Sequence, residues 1–140
     1  RVLSARQRAA REDAGPLGLA AGEPVYEIIR VRLAGGQPVA LERTVLVADA
    51  FPGLLEEQLE GSLYEVMRAR FGEAPVRAVE RLEAAPADRN EADALGIRAG
   101  EPVLCVERTA YLASGRAVER GRDAFRADRT RVTWASKISA

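Results

Sequence analysis

Leu17-Gly18-Leu19-Ala20-Ala21-Gly22-Glu23-Pro24-Val25 returns as Leu95-Gly96-Ile97-Arg98-Ala99-Gly100-Glu101-Pro102-Val103, 78 positions later. The correspondence continues through Arg30 and Arg108. Then, with a slip of one residue, it runs through Gly36 and Gly115, Val39 and Val118, Arg43 and Arg122, and Asp49 and Asp128. A stretch repeated in this order marks one supersecondary unit present twice. Two copies fall short of the roughly three units a solenoid needs, so they point to a single domain with an internal pseudo-twofold.

Each copy carries the same local signals. Asp88 caps a predicted helix over Arg89 to Leu95, and Gly96 stands where a left-handed residue ends it. In the first copy Gly15-Pro16 interrupts the matching stretch, so that helix is expected to be short or irregular. After Gly-Glu-Pro the pattern alternates with period two. Val25, Glu27, Ile29, Val31 and Leu33 fall on one face of a strand, and Tyr26, Ile28, Arg30 and Arg32 on the other. Ala34-Gly35-Gly36 turns the chain into a second strand, Pro38 to Val47. The second copy repeats the hairpin with Val103 to Leu112, a turn at Ser114-Gly115, and Ala117 to Phe125. A further strand opens each copy, near Val2 to Arg6 and Val76 to Glu83. Strand, helix, strand, strand, taken twice, predicts an α+β domain: an antiparallel sheet with helices on one face. Between the copies, Leu63, Val66, Met67 and Phe71 sit at helical spacing. Ser62 to Phe71 therefore reads as a helix, opened by the capping box Ser62-Leu63-Tyr64-Glu65.

Composition narrows the chemistry. The 140 residues are 47% apolar and 30% charged, an ordinary globular mixture that fits one domain. Twenty-one basic residues balance twenty-one acidic ones, so no long-range field holds this chain on nucleic acid or an anionic membrane. There is no histidine, which removes Ser-His-Asp and Cys-His catalysis and imidazole metal sites. Cys105 is the only cysteine, so an internal disulfide and a thiolate metal cluster are both excluded. No apolar run approaches the ~20 residues of a membrane helix, and the stretch beginning Arg1-Val2-Leu3-Ser4 lacks the apolar core of a signal peptide. A cytoplasmic chain without metal, cofactor or catalytic residues is expected.

The candidate binding residues are few. Arg30 and Arg32 point the same way on a strand, roughly 7 Å apart along it, and two guanidinium forks so placed suit a carboxylate or phosphate. The start of the Ser62 helix offers unpaired N–H groups and the positive end of a dipole to an anion. Glu42 and Glu119, on strands, can accept hydrogen bonds from ligand hydroxyl or amide groups. Tyr64, Tyr111 and Phe125 read either as pocket wall or as core, and Cys105 as a buried apolar residue.

Taken together, Leu17-Gly18, Gly22-Glu23-Pro24-Val25, Arg30-Val31-Arg32, Gly36-Gln37-Pro38-Val39-Ala40-Leu41-Glu42, Phe51-Pro52-Gly53-Leu54, Ser62-Leu63-Tyr64-Glu65, Ala92 to Gly96 and Gly100 to Leu104 resemble the UTRA domain. That domain is the effector-binding module of HutC-type GntR transcription regulators. The resemblance runs from about Val2 to Arg131 and lies in the order and spacing of the motifs. It implies a chorismate-lyase-like fold, with a ligand site between the sheet and the central helix. A small, often anionic metabolite binds there and reshapes a homodimer; family effectors include phosphosugars, urocanate, and fatty or phosphonate compounds. Positions matching the family's ligand contacts are Arg30, Arg32, Glu42, Ser62 and Tyr64, with Arg77, Glu119 and Phe125 beside them. Phe125 stands where phosphosugar-sensing members often have tyrosine, which removes a hydroxyl from that position.

The winged helix-turn-helix that precedes this module in the family is absent from residues 1–140, so DNA contact is expected only through a missing N-terminal domain. The expected role is effector sensing and dimerisation for a repressor, with sheet edges pairing across the dimer axis. Two alternatives stand beside it: a chorismate-lyase-like enzyme, and a dimerisation module that binds no ligand.

Overall fold

The computed structural model describes residues 1–139. Strands β1 (Val2–Ala9), β2 (Pro24–Ala34) and β3 (Gln37–Val47) come from the first copy, and β4 (Arg77–Pro86), β5 (Pro102–Tyr111) and β6 (Ala117–Arg126) from the second. Helix α1 (Leu63–Phe71) lies between the copies and α2 (Arg89–Leu95) inside the second. The six strands form one antiparallel sheet in the order β1-β2-β3-β6-β5-β4.

That order makes the duplication visible. The central ladder joins β3 of one copy to β6 of the other and sets Arg43 directly opposite Arg122. These two residues correspond in the repeat, so the pseudo-twofold passes between them. Each hairpin also contains one extra residue where its register shifts, at Val39 and at Val118, which are again equivalents. The first hairpin turns at Gly35 (φ 57°) and Gly36 (φ 77°), two successive left-handed positions that a side chain would oppose.

Residues opposite one another across an antiparallel ladder share a face. Val25 and Val31 of β2 are buried on one face and Tyr26 and Ile28 on the other, so both sides of the strand need covering. On the Tyr26 side, Leu63 and Met67 of α1 pack with Phe51, Leu54 and Leu59 over Ile28 and Leu46. The opposite face carries two clusters that are copies of each other. Ala14, Leu17, Val25 and Val45 form the first, and their equivalents Ala92, Leu95, Val103 and Ala124, with the buried Cys105, form the second.

The helices are therefore not on one face as expected. Helix α2 covers one side of the sheet, and α1, which belongs to neither copy, covers the other. In the first copy the helix is replaced by irregular turns across residues 11–18, as Gly15-Pro16 implies, yet Leu17 still enters the core at 4% exposure. The capping prediction is also modified. At Ser62 only half the box forms, the serine Oγ accepting the Glu65 N–H at 3.3 Å. The reciprocal box stands at α2, where Asp88 and Glu91 each accept the other's backbone N–H, at 2.8 and 3.0 Å.

Candidate functional site

The face that carries α1 is only partly filled. Beside the start of that helix lies a cavity of about 640 Å³, whose wall includes Arg30, Arg32, Glu42, Ser62, Tyr64 and Glu119. Six of the eight residues singled out in the sequence are thus brought together by β2, β3, β6 and α1. The other two lie outside this wall. Arg77 opens β4 at the sheet edge and stacks on Tyr111, with its guanidinium carbon 4.2 Å from the ring centroid. Phe125 shares the cavity's side of the sheet but pairs with Ala40 and Leu104, two residues beyond Asp123, where the wall ends.

The two arginines of β2 do not form a free fork. Glu42, directly opposite Arg30 and buried, sits between them. Its Oε2 accepts Arg32 Nη2 at 2.7 Å, and its Oε1 lies 3.4 Å from Arg30 Nη2. Arg30 is only 13% exposed in its side chain and donates from Nη1 to the carbonyls of Leu59 (3.0 Å) and Gly61 (2.6 Å). It thereby ties the segment that leads into α1 down onto the sheet. Its Nε is buried without a partner. Arg32, at 56% exposure, keeps the rest of its guanidinium at the cavity mouth. Ser62, Leu63 and Tyr64 line the same mouth; the Glu65 and Val66 N–H groups are spent on the Ser62 Oγ and carbonyl, which leaves those of Leu63 and Tyr64 without an intrahelical partner.

The second copy supplies a deeper wall that the motifs did not reveal. Arg108, the repeat equivalent of Arg30, is paired across the ladder with Gly121 just as Arg30 is paired with Glu42. The missing side chain at Gly121 lets the guanidinium lie flat, since a Cβ there would stand 2.3 Å from Arg108 Nη2. From that seat Arg108 Nε reaches Glu119 Oε1 at 2.5 Å, and Nη1 reaches Asp123 Oδ2 at 3.2 Å. Tyr64 of α1 donates its hydroxyl to the same Glu119 oxygen at 3.0 Å.

Glu119 is 1% exposed, so the triad of Tyr64, Glu119 and Arg108 locks the start of α1 to the sheet through a buried charge pair. Burial works against the Arg108 charge, but Glu119 and Asp123 outweigh it and hold its pKa above the ordinary arginine value. Burial and the Glu119 charge push the Tyr64 phenol upward, so it remains a donor. Burial likewise raises the Asp123 carboxyl; Arg108 opposes this, and Glu42 and Glu119 add to it. Asp123 Oδ1 is buried with no partner.

Charge around the cavity is accordingly mixed. The positive cradle expected from Arg30 and Arg32 exists only at the mouth, near the α1 start. The floor is carboxylate: Glu42, Glu119 and Asp123, all buried, face inward. Such a site suits a ligand with an anionic end and a body that donates hydrogen bonds. One signal for Arg108 was present in the sequence, since the repeat maps Arg30 onto it. None marked Asp123, whose role depends on Gly121 leaving room for Arg108.

Residues 1–131 match the family model of the UTRA domain. Over 130 residues the chain is 35% identical to the HTH-type transcriptional repressor NagR of Bacillus subtilis, covering 91% of this chain and 53% of that protein. Over 121 residues it is 39% identical to the HTH-type transcriptional repressor PhnF of Mycolicibacterium smegmatis, covering 86% and 49%. The crystal structure of the effector domain of PhnF from Mycobacterium smegmatis superimposes with a TM-score of 0.86 at 37% identity, covering 96% of this chain and 85% of that one. The chain spans about half the length of the curated relatives it matches.

Proposed function

The chain belongs to the UTRA domain family, and from that premise we propose that it senses a small anionic metabolite for a GntR-type transcriptional repressor. The effector is a phosphosugar, carboxylate or phosphonate. Its anionic group sits at the mouth between Arg32 and the first turn of α1, and its hydroxyl, amide or ammonium donors meet the floor. The observation that carries this reading is a cavity of about 640 Å³ whose wall sets Arg32 and the start of α1 against the buried carboxylates Glu42, Glu119 and Asp123. The same feature favours a ligand-binding domain over a purely dimerising one.

Ligand occupancy acts on DNA through a separate domain, and only by its differential affinity for two arrangements of a homodimer, typically ~1 to 3 kcal/mol of coupling. The β4 edge supports the dimer: Arg77 to Ala84 are all exposed, and Val79 and Leu82 project without cover. A free edge of that length is normally paired or protected. No helix among the described residues is long and apolar enough to cross a membrane. The relatives' role as transcriptional repressors supports a cytoplasmic regulator rather than an enzyme.

The test is a thermal-shift screen of hydroxylated and aminated phosphates, carboxylates and phosphonates. Ligand at 100 times its Kd stabilises by about 2.7 kcal/mol, a shift of several degrees. Arg32→Ala removes a half-exposed head, at the cost of its contact to Glu42 Oε2, and is expected to abolish the shift given by the best compound. An unchanged shift in that variant refutes the assignment of the anion to the cavity mouth.

A further inference from the structure

The other face of the sheet has its own cleft. The duplicated clusters around Leu17 and Leu95 cover its two sides and leave the strip along the pseudo-twofold open. A cavity of about 440 Å³ lies there, lined by six arginines and four carboxylates. Two of those carboxylates are already committed. Glu27 accepts from Arg6 and Arg8, and Asp13 from Arg8.

The strip itself is arginine. Arg43 and Arg122 face each other directly across the central ladder, and Arg120 is paired with Val45, one step along on the same face. Like charges directly opposite on a sheet repel. What compensates them is slight. Arg120 donates to the Thr109 hydroxyl at 2.8 Å, Arg122 has Glu107 at 3.4 Å, and Arg43 has no ion pair or side-chain hydrogen bond among the described residues. A smaller cavity of about 150 Å³ continues past Arg43 and Arg122 to Asn90 of α2.

We propose that this cleft is a second anion site, separate from the cavity beneath α1, in which Arg43, Arg120 and Arg122 bind a tetrahedral oxyanion of the phosphate class. Three guanidinium groups converging from two adjacent strands match the several acceptor oxygens of such an ion. Occupancy replaces their mutual repulsion with charge-assisted hydrogen bonds. The two sites back onto each other through shared strands: Glu42 and Arg43 are neighbours in β3, and Arg122 and Asp123 in β6, pointing to opposite faces. Neither site requires the other's ligand.

The experiment uses inorganic phosphate as the probe, with sodium chloride at matched ionic strength as its control. Phenylglyoxal modification followed by peptide mass mapping should show Arg43, Arg120 and Arg122 protected by phosphate and not by chloride. The Arg43→Ala/Arg122→Ala variant removes two exposed side chains. Without phosphate its melting temperature should rise above that of the parent; with phosphate its shift should be lost, while that given by the best α1-cavity compound persists. Equal protection by chloride, or a phosphate shift that survives in the double variant, overturns the proposal. A fall in the variant's phosphate-free melting temperature also counts against it, because the repulsion it assumes would then be absent.

Discussion

Replacing Gly121 by alanine tests the deeper wall through a single methyl group. The new Cβ would lie 2.3 Å from Arg108 Nη2 and 2.8 Å from its Cζ, so the guanidinium must leave its seat. Arg108 then loses its 2.5 Å contact to Glu119 and its 3.2 Å contact to Asp123, two charge-assisted bonds in a poorly solvated place. Glu119 keeps only the Tyr64 hydroxyl. Breaking a buried ion pair by removing one partner costs about 3 to 5 kcal/mol. Replacing a strand glycine gains back about 0.5 to 1 kcal/mol. The net expectation is a loss of about 2 to 4 kcal/mol, read from urea unfolding at neutral pH.

The attribution to Arg108 is checked by a double-mutant cycle. Arg108→Met is itself destabilising, but in that background the guanidinium is gone and Gly121→Ala should be neutral or stabilising by up to about 1 kcal/mol. A Gly121→Ala loss under about 0.5 kcal/mol, or a loss of the same size with and without Arg108, refutes the reasoning.

Four further outcomes follow from the same contacts. Tyr64→Phe removes the donor to a buried carboxylate and should cost about 1.5 to 3 kcal/mol in chemical denaturation, with faster hydrogen exchange in the first turn of α1. Ser62→Ala removes the helix cap and should cost about 1 kcal/mol while weakening anionic ligands in calorimetry. Asp123 has its folded-state pKa raised, so its contribution to stability is present below the unfolded carboxylate value and is lost as pH rises toward neutrality. The stability of Asp123→Asn relative to the parent should therefore climb over that interval in paired urea titrations. Asp13 and Glu27 behave oppositely: burial resists their ionisation, but Arg8, with Arg6 at Glu27, outweighs it and lowers both pKa values. Their contribution is lost as pH falls below about 4, and Arg8→Met should flatten that acid limb.

Much of the fold was legible because a repeat constrains more than any single motif. The match at offset 78 and then 79 implied two like units about an internal pseudo-twofold, within which the glycine turns marked the hairpins and Gly15-Pro16 the irregular first helix. The layer assignment failed where the repeat had nothing to say, since α1 lies between the copies. The correct answer was latent in β2, whose Val25 and Val31 on one side and Tyr26 and Ile28 on the other are too apolar for a half-solvated sheet.

The site divides in the same way. Arg30, Arg32, Glu42, Ser62, Tyr64 and Glu119 converge as their strand faces and helix start imply. The state of their charges was not legible. Whether Arg30 is free or spent on the Leu59 and Gly61 carbonyls depends on a loop path, and whether Arg108 lies flat depends on a glycine thirteen residues away.

The most direct measurement of the central claim is a crystal structure of this domain with the compound that stabilises it most. Density is expected in the cavity beneath α1, with the anionic group at the Ser62 turn beside Arg32 and a donor within hydrogen-bond distance of one of the floor carboxylates, Glu42, Glu119 or Asp123. A ligand lodged elsewhere on the molecule, or one that touches none of those carboxylates, would contradict the account.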